Sequence, residues 1–279
     1  MRCRATSLVG LLVTMAIIVV LAAVLLTSLN VAVTGAGQTT SGSVRSFADS
    51  MNLRSLFTGM AATGLEGVGS MGATGGARPQ GSSGYPIPSV VDGRARRELD
   101  TTASIYSLLV MRDAVAPKSL ISANERNPVV DVAADYRWHL YNPAGGVHWD
   151  PGFVADLERG SNVSYAHLPF WGRRFDEHWA RISLDSRMPL IGSRGPRDGR
   201  VEGTSFTLGR DGTWAGHLLF ADGHVEWVDS VFAPGRRVGE GHDARPDGLF
   251  TVDDGPLGGD AFLGFVSGMD PSGPRIQWD

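Results

Sequence analysis

The longest uninterrupted apolar run in the chain is Leu8 to Leu29, LVGLLVTMAIIVVLAAVLLTSL. Arg2 and Arg4 precede it, and no further charge appears until Arg45. As a helix, such a run spans roughly 30 Å, the thickness of one bilayer core. Its hydroxyls, Thr14, Thr27 and Ser28, can bond back to the helix backbone. A buried core helix usually keeps a polar face, and this run has none. The pattern predicts a membrane-inserted helix with its N-terminus in the cytoplasm, set by the two arginines, and everything from Asn30 onward outside it.

Beyond the run, Gly35, Gly37 and Gly42 interrupt helical continuity. Ser43 to Met60 then predicts an amphipathic helix whose apolar stripe drifts, from Val44, Phe47 and Met51 to Leu53, Leu56, Phe57 and Met60. Gly59 to Gly84, rich in Gly, Ala and Ser, predicts a linker. Asp100 offers an N-cap for a helix carrying Ala103, Ile105, Tyr106, Leu108, Leu109 and Met111 and ending before Pro117. Trp138 to Trp179 is aromatic and turn-rich, suited to an irregular loop on a sheet, with a strand at Asn162 to Ala166. Alternation returns in Gly216 to Val228, GHLLFADGHVEWV, where Asp222-Gly223 predicts a tight two-residue hairpin turn. That turn pairs Ala221 with His224, Phe220 with Val225 and Leu218 with Trp227. Leu218, Phe220, Val225 and Trp227 then face the core, with His217 and His224 on the other side.

Charge and cysteine content narrow the chemistry. A net charge of −4 over 279 residues argues against nucleic-acid binding. The single cysteine, Cys3, precedes the apolar run, which leaves the external part without a disulfide or a thiol nucleophile. The sequence holds no Gly-x-Ser-x-Gly elbow, His-Glu-x-x-His pair or Walker glycine loop. On the expected register, His217 and His224 stand roughly 13 Å apart, too far to share a metal. Asp176, Glu177 and His178 are consecutive and diverge, so they belong to a solvated surface. His139, His148 and His167 lie among aromatics without ligand spacing. In the tail, Asp253, Asp254 and Asp260 are candidate calcium ligands, though their spacing is not an EF-hand's. The reading is that this is not an enzyme and has no cofactor beyond that calcium candidate.

Three regions carry a resemblance to one family. Ala5-Thr6-Ser7-Leu8-Val9-Gly10-Leu11-Leu12-Val13 resembles the type IV prepilin and pseudopilin leader, Gly-Phe-Thr-Leu-Val-Glu-Leu-Leu-Val after a short basic peptide. Thr6 replaces the usual Phe, and Gly10 replaces the Glu that serves assembly by pairing with a neighbouring subunit's N-terminal amine. Ser50 to Leu56, with its Asn52-Leu53-Arg54, then Tyr85-Pro86, the Leu108-Leu109-Val110 helix and Ala116-Pro117-Lys118-Ser119-Leu120 resemble planctomycete-type pilin-like proteins. So do the Asn162 to Ala166 strand and the Asp185 to Ile191 segment. A Cys-Pro-Ser loop of that family is replaced here by Ile121 to Asn124. Finally, Phe220-Ala221-Asp222-Gly223-His224-Val225 is similar to the hairpin of the prepilin-type processing-associated C-terminal domain. The His that stands before Asp-Gly there, with nine residues between, is Gly212 here.

The resemblance implies an α+β fold: a long N-terminal membrane helix followed by a pilin-like domain with an antiparallel β-sheet. It divides the chain into a leader at 1–5, a membrane helix at 6–34, an amphipathic helix and linker at 35–84, and an extracytoplasmic domain at 85–279. It implies cleavage between Ala5 and Thr6 by a prepilin peptidase. The function implied is that of a structural subunit or accessory of a type II secretion or type IV pilus-like system, with other pilin-like subunits and the inner membrane as partners. Gly10 favours a minor or tip member. Two other readings of the apolar run are a secretory signal peptide cut after Ala36 and an uncut signal anchor. The functional alternative is a tethered or secreted binding domain, using the Trp-rich 138–179 loop for glycans, with an anchored hydrolase third.

Overall fold

The computed structural model describes residues 40–69, 84–94, 96–202 and 213–279. Ala5, Thr6, Gly10, the rest of the apolar run and Gly212 lie outside the described residues. The chain divides into two units, 1–47 and 48–279; of the first, only 40–47 is described.

Four α-helices appear among the described residues: α1 (Thr40–Gly69), α2 (Pro88–Val91), α3 (Thr102–Met111) and α4 (Gly172–His178). No helix among the described residues is long and apolar enough to cross a membrane. The longest, α1, has 30 residues, and its sequence includes Arg45, Asp49, Arg54 and Glu66. The strands form four separate antiparallel sheets instead of one. The expected fold class, a long membrane helix followed by a pilin-like domain on an antiparallel sheet, is therefore corrected: the regular structure described is one surface helix, three shorter ones and four small sheets.

The central sheet has the order β3-β4-β5-β6, with β3 at Tyr165–His167, β4 at Pro189–Ser193, β5 at Gly216–Phe220 and β6 at Val225–Val228. The remaining strands form pairs: β1 (Ala155–Asp156) with β2 (Gly160–Ser161), β7 (Phe232–Val238) with β8 (Arg245–Gly248), and β9 (Phe265–Asp270) with β10 (Gly273–Gln277). An isolated bridge from His167 to Gly264 joins the edge of β3 to the approach to β9. All five residues of β5 are buried, so the strand lies inside the molecule with both faces covered.

The hairpin forms, but one residue off the expected register. Pairs run His217 with Trp227, Leu218 with Glu226 and Leu219 with Val225. Phe220 and His224 close a three-residue loop, Phe220 N donating to His224 O at 3.0 Å and Gly223 N to Phe220 O at 2.9 Å. Only Gly223 takes a positive φ, 89°, whereas the expected two-residue turn required it of Asp222 as well. A one-residue slip exchanges the faces. His217 thus meets Trp227 edge-on at 4.9 Å, and Phe220 stacks flat on His224 at 4.3 Å.

Helix α3 begins as expected from its apolar spacing, but its N-cap is Thr101, whose hydroxyl accepts from Ser104 N at 3.2 Å. Asp100 instead turns back to accept from Ser89 N and its hydroxyl, both at 2.9 Å, and so clamps α2. One core joins these elements: Leu53, Leu56 and Met60 of α1; Tyr106, Leu109 and Val110 of α3; Leu190 and Ile191; Leu218 and Leu219; Phe170 and Trp179.

Candidate functional site

Helix α1 meets the central sheet through a buried polar knot. Asp49, one turn before Leu53, is wholly buried. Tyr165 of β3 donates its hydroxyl to Asp49 Oδ1 at 2.6 Å, and Nδ1 of His217 on β5 donates to Oδ2 at 2.9 Å. Asn52 adds bonds to Ile121 O at 3.1 Å and to the Tyr165 hydroxyl at 3.4 Å. Burial, and then the Asp49 carboxylate, push the Tyr165 hydroxyl well above its ordinary range, which keeps it a donor. Each carboxylate oxygen faces a donor, as a buried acid requires. His217 is thus a structural partner of α1.

Further along, Phe57 packs on the hairpin tip and against Tyr85, ring centres 6.2 Å apart. A Cβ at Gly223 would stand 2.5 Å from the Phe57 ring, so glycine is required there by contact as well as by φ. At Gly59, a Cβ would come within 2.6 Å of Ala114 O; the glycine lets α1 lie close to the loop after α3. The family-hairpin residues Phe220 and Ala221 are buried and Val225 half-buried, while Asp222 and His224 bond each other at the tip, carboxylate to Nδ1, at 2.5 Å.

The drifting stripe of α1 resolves into two. Leu53, Leu56 and Met60 are buried on the domain. Val44, Phe47 and Met51, at helical spacing, are exposed at 61%, 67% and 46%. Arg54 and Thr58, which continue this outer stripe, are polar and exposed.

The acidic tail is neutralised by arginines. Asp260 is buried against Arg174, and its other oxygen accepts from Asp253 N at 2.7 Å. Asp253 accepts from Gly248 N at 2.8 Å and pairs with Arg245 at 3.1 Å; Asp254 pairs with Arg173 at 2.7 Å. Arg236 bridges Asp247 at 3.0 Å and Asp185 at 3.2 Å. The calcium candidates Asp253, Asp254 and Asp260 thus each hold a guanidinium. Among the described residues, no group of three or more His, Cys, Asp and Glu is arranged to hold a metal.

The remaining histidines are scattered. His139 is exposed, His148 half-buried beside Trp149, and His178 bonded to Ser183 at 2.8 Å. His167 sits in the core between Phe170, Trp179 and Tyr106. Asp176 and Glu177 are exposed, and Glu177 Oε2 comes within 3.9 Å of Nε2 of the buried His178. Among the loop tryptophans, Trp179 is buried, and Trp138, half exposed, stands at 62° to Tyr136.

The Asp49–Tyr165–His217 knot escaped the sequence reading because its members are 116 and 168 residues apart. A lone acid inside an apolar helical stripe was the available signal. Comparisons with known protein families, curated proteins and solved structures find no match to this chain.

Proposed function

We propose that this protein is a structural subunit or accessory of a type II secretion or type IV pilus-like assembly, processed by a prepilin peptidase between Ala5 and Thr6. On this reading the apolar segment 8–29 holds it at the cytoplasmic membrane, with residues 48–279 on the outer side. Its partners are other copies or related subunits, and its role is lateral packing. The observation that carries the reading is the two-sided helix α1. Leu53, Leu56 and Met60 are buried on the domain, while Val44 and Met51, on another line of the helix, are exposed toward its N-terminal end. An exposed stripe of large apolar side chains suits burial against another protein.

The test is the mature N-terminus, read by mass spectrometry of the membrane fraction. A start at Thr6 supports the proposal. A start near Gly37, or an intact Met1, overturns it.

A further inference from the structure

Between the start of α4 and the turn at 254–258 lies a groove of about 600 Å³, open to solvent and lined by Trp171, Arg173, Asp254, Pro256, Leu257 and Ser272. That volume is in the range of small-molecule sites, about 300–1,000 Å³. Its walls are held in a fixed relation. Arg173 N and Arg174 N donate to Leu257 O and Gly258 O, both at 3.0 Å. Gly172, at φ 77°, brings its backbone against Leu257, where a Cβ would stand 2.8 Å away. The Trp171 ring is fixed too: the Arg97 guanidinium stands 5.2 Å over it and is itself held by Phe170 O at 3.1 Å.

The chemistry of the groove narrows its occupant. Arg173 and Asp254 pair at 2.7 Å on its rim with both side chains substantially exposed, so donors and an acceptor are offered with the charge balanced. An anion would have to displace Asp254 from Arg173, and a wholly apolar ligand would strip water from the pair without replacing its bonds. A half-buried aromatic ring beside a balanced ionic rim suits a ligand with an apolar C–H face and many hydroxyls.

We propose that this groove binds a neutral oligosaccharide of pyranose units. One ring packs on Trp171, and its hydroxyls are shared between Arg173 and Asp254. The proposal stands independently of the structural-subunit reading, since it concerns a surface that lateral packing through α1 does not use.

The test uses the full chain in a detergent without a sugar headgroup, titrated with cellohexaose, chitohexaose and maltohexaose by calorimetry and tryptophan fluorescence. The expected result is saturable binding of at least one, with Kd of about 1 mM or tighter. Trp171→Ala and Arg173→Ala should each weaken it roughly tenfold or more, while Trp138→Ala leaves it unchanged. No saturable binding of any of the three overturns the proposal, and so does binding that survives Arg173→Ala. Should Trp171→Ala fail to fold by circular dichroism, Arg173→Ala decides alone, because its side chain is exposed.

Discussion

At the scale of single residues, His167 is wholly buried, with both ring nitrogens in hydrogen bonds. Its Nδ1 lies 2.8 Å from Leu168 O, an acceptor, so Nδ1 carries the proton and Nε2 keeps its lone pair. Thr102 Oγ1, 3.1 Å from Nε2, then donates to it while accepting from Val266 N at 2.7 Å. With Nδ1 donating and Nε2 accepting, the bonds are satisfied around a neutral imidazole, and burial pulls the pKa down from 6.5 to about 4. The unfolded chain therefore binds a proton between these values that the folded chain refuses. Stability is full above pH 6.5 and falls as pH drops towards 4, by up to about 3 kcal/mol. Urea unfolding across that window should show the loss. His167→Gln should lower stability at neutral pH yet flatten the slope; an unchanged slope would assign the pH dependence to other groups. None of this was legible beforehand, because His167 in sequence is one more histidine among aromatics.

At the scale of elements, the sequence carried α3, the middle of α1 and the hairpin, but missed α2, α4, the extension of α1 to Gly69 and details set by a single residue. The apolar spacing of α3 was sufficient to find it, whereas the choice between Asp100 and Thr101 as cap depended on Ser89, a tertiary partner. The Asp-Gly pair located the β5–β6 turn, yet whether Ala221 joins the strand or the loop decided which face every side chain took. Local spacing in the acidic tail suggests calcium ligands because the distant arginines that pair with it are invisible to that spacing. Arg174 is buried and fans its donors to Asp260, Pro256 O and Gly255 O, the carbonyls at 3.1 Å. Arg174→Ala should destabilise by about 3–5 kcal/mol, since it strands the buried Asp260 carboxylate. Neither calcium nor a chelator should move the wild-type Tm. A calcium-dependent rise in Tm would return Asp253, Asp254 and Asp260 to the role of cation ligands.

At the scale of the whole molecule, the division of labour along α1 follows from where burial ends. From Asp49 onward the helix is tied to the sheet by the buried knot and by Leu53, Leu56 and Met60, each contributing about 1.5–3 kcal/mol when fully buried. In the outer stripe Val44, Phe47 and Met51 are exposed, and the stripe turns polar at Arg54 and Thr58. If assembly buries the upper part of this stripe, its positions should meet their equivalents or another subunit in the membrane, while the lower part stays in water. In a Cys3→Ser background, Phe47→Cys and Met51→Cys should form disulfide-linked species on mild oxidation in intact membranes, and Thr58→Cys should not. Val44→Glu combined with Met51→Glu should reduce co-isolation of subunits, because both side chains are exposed and outside the buried core. Equal cross-linking at all three positions would mean random collision, and the exposed stripe would then have no part in association.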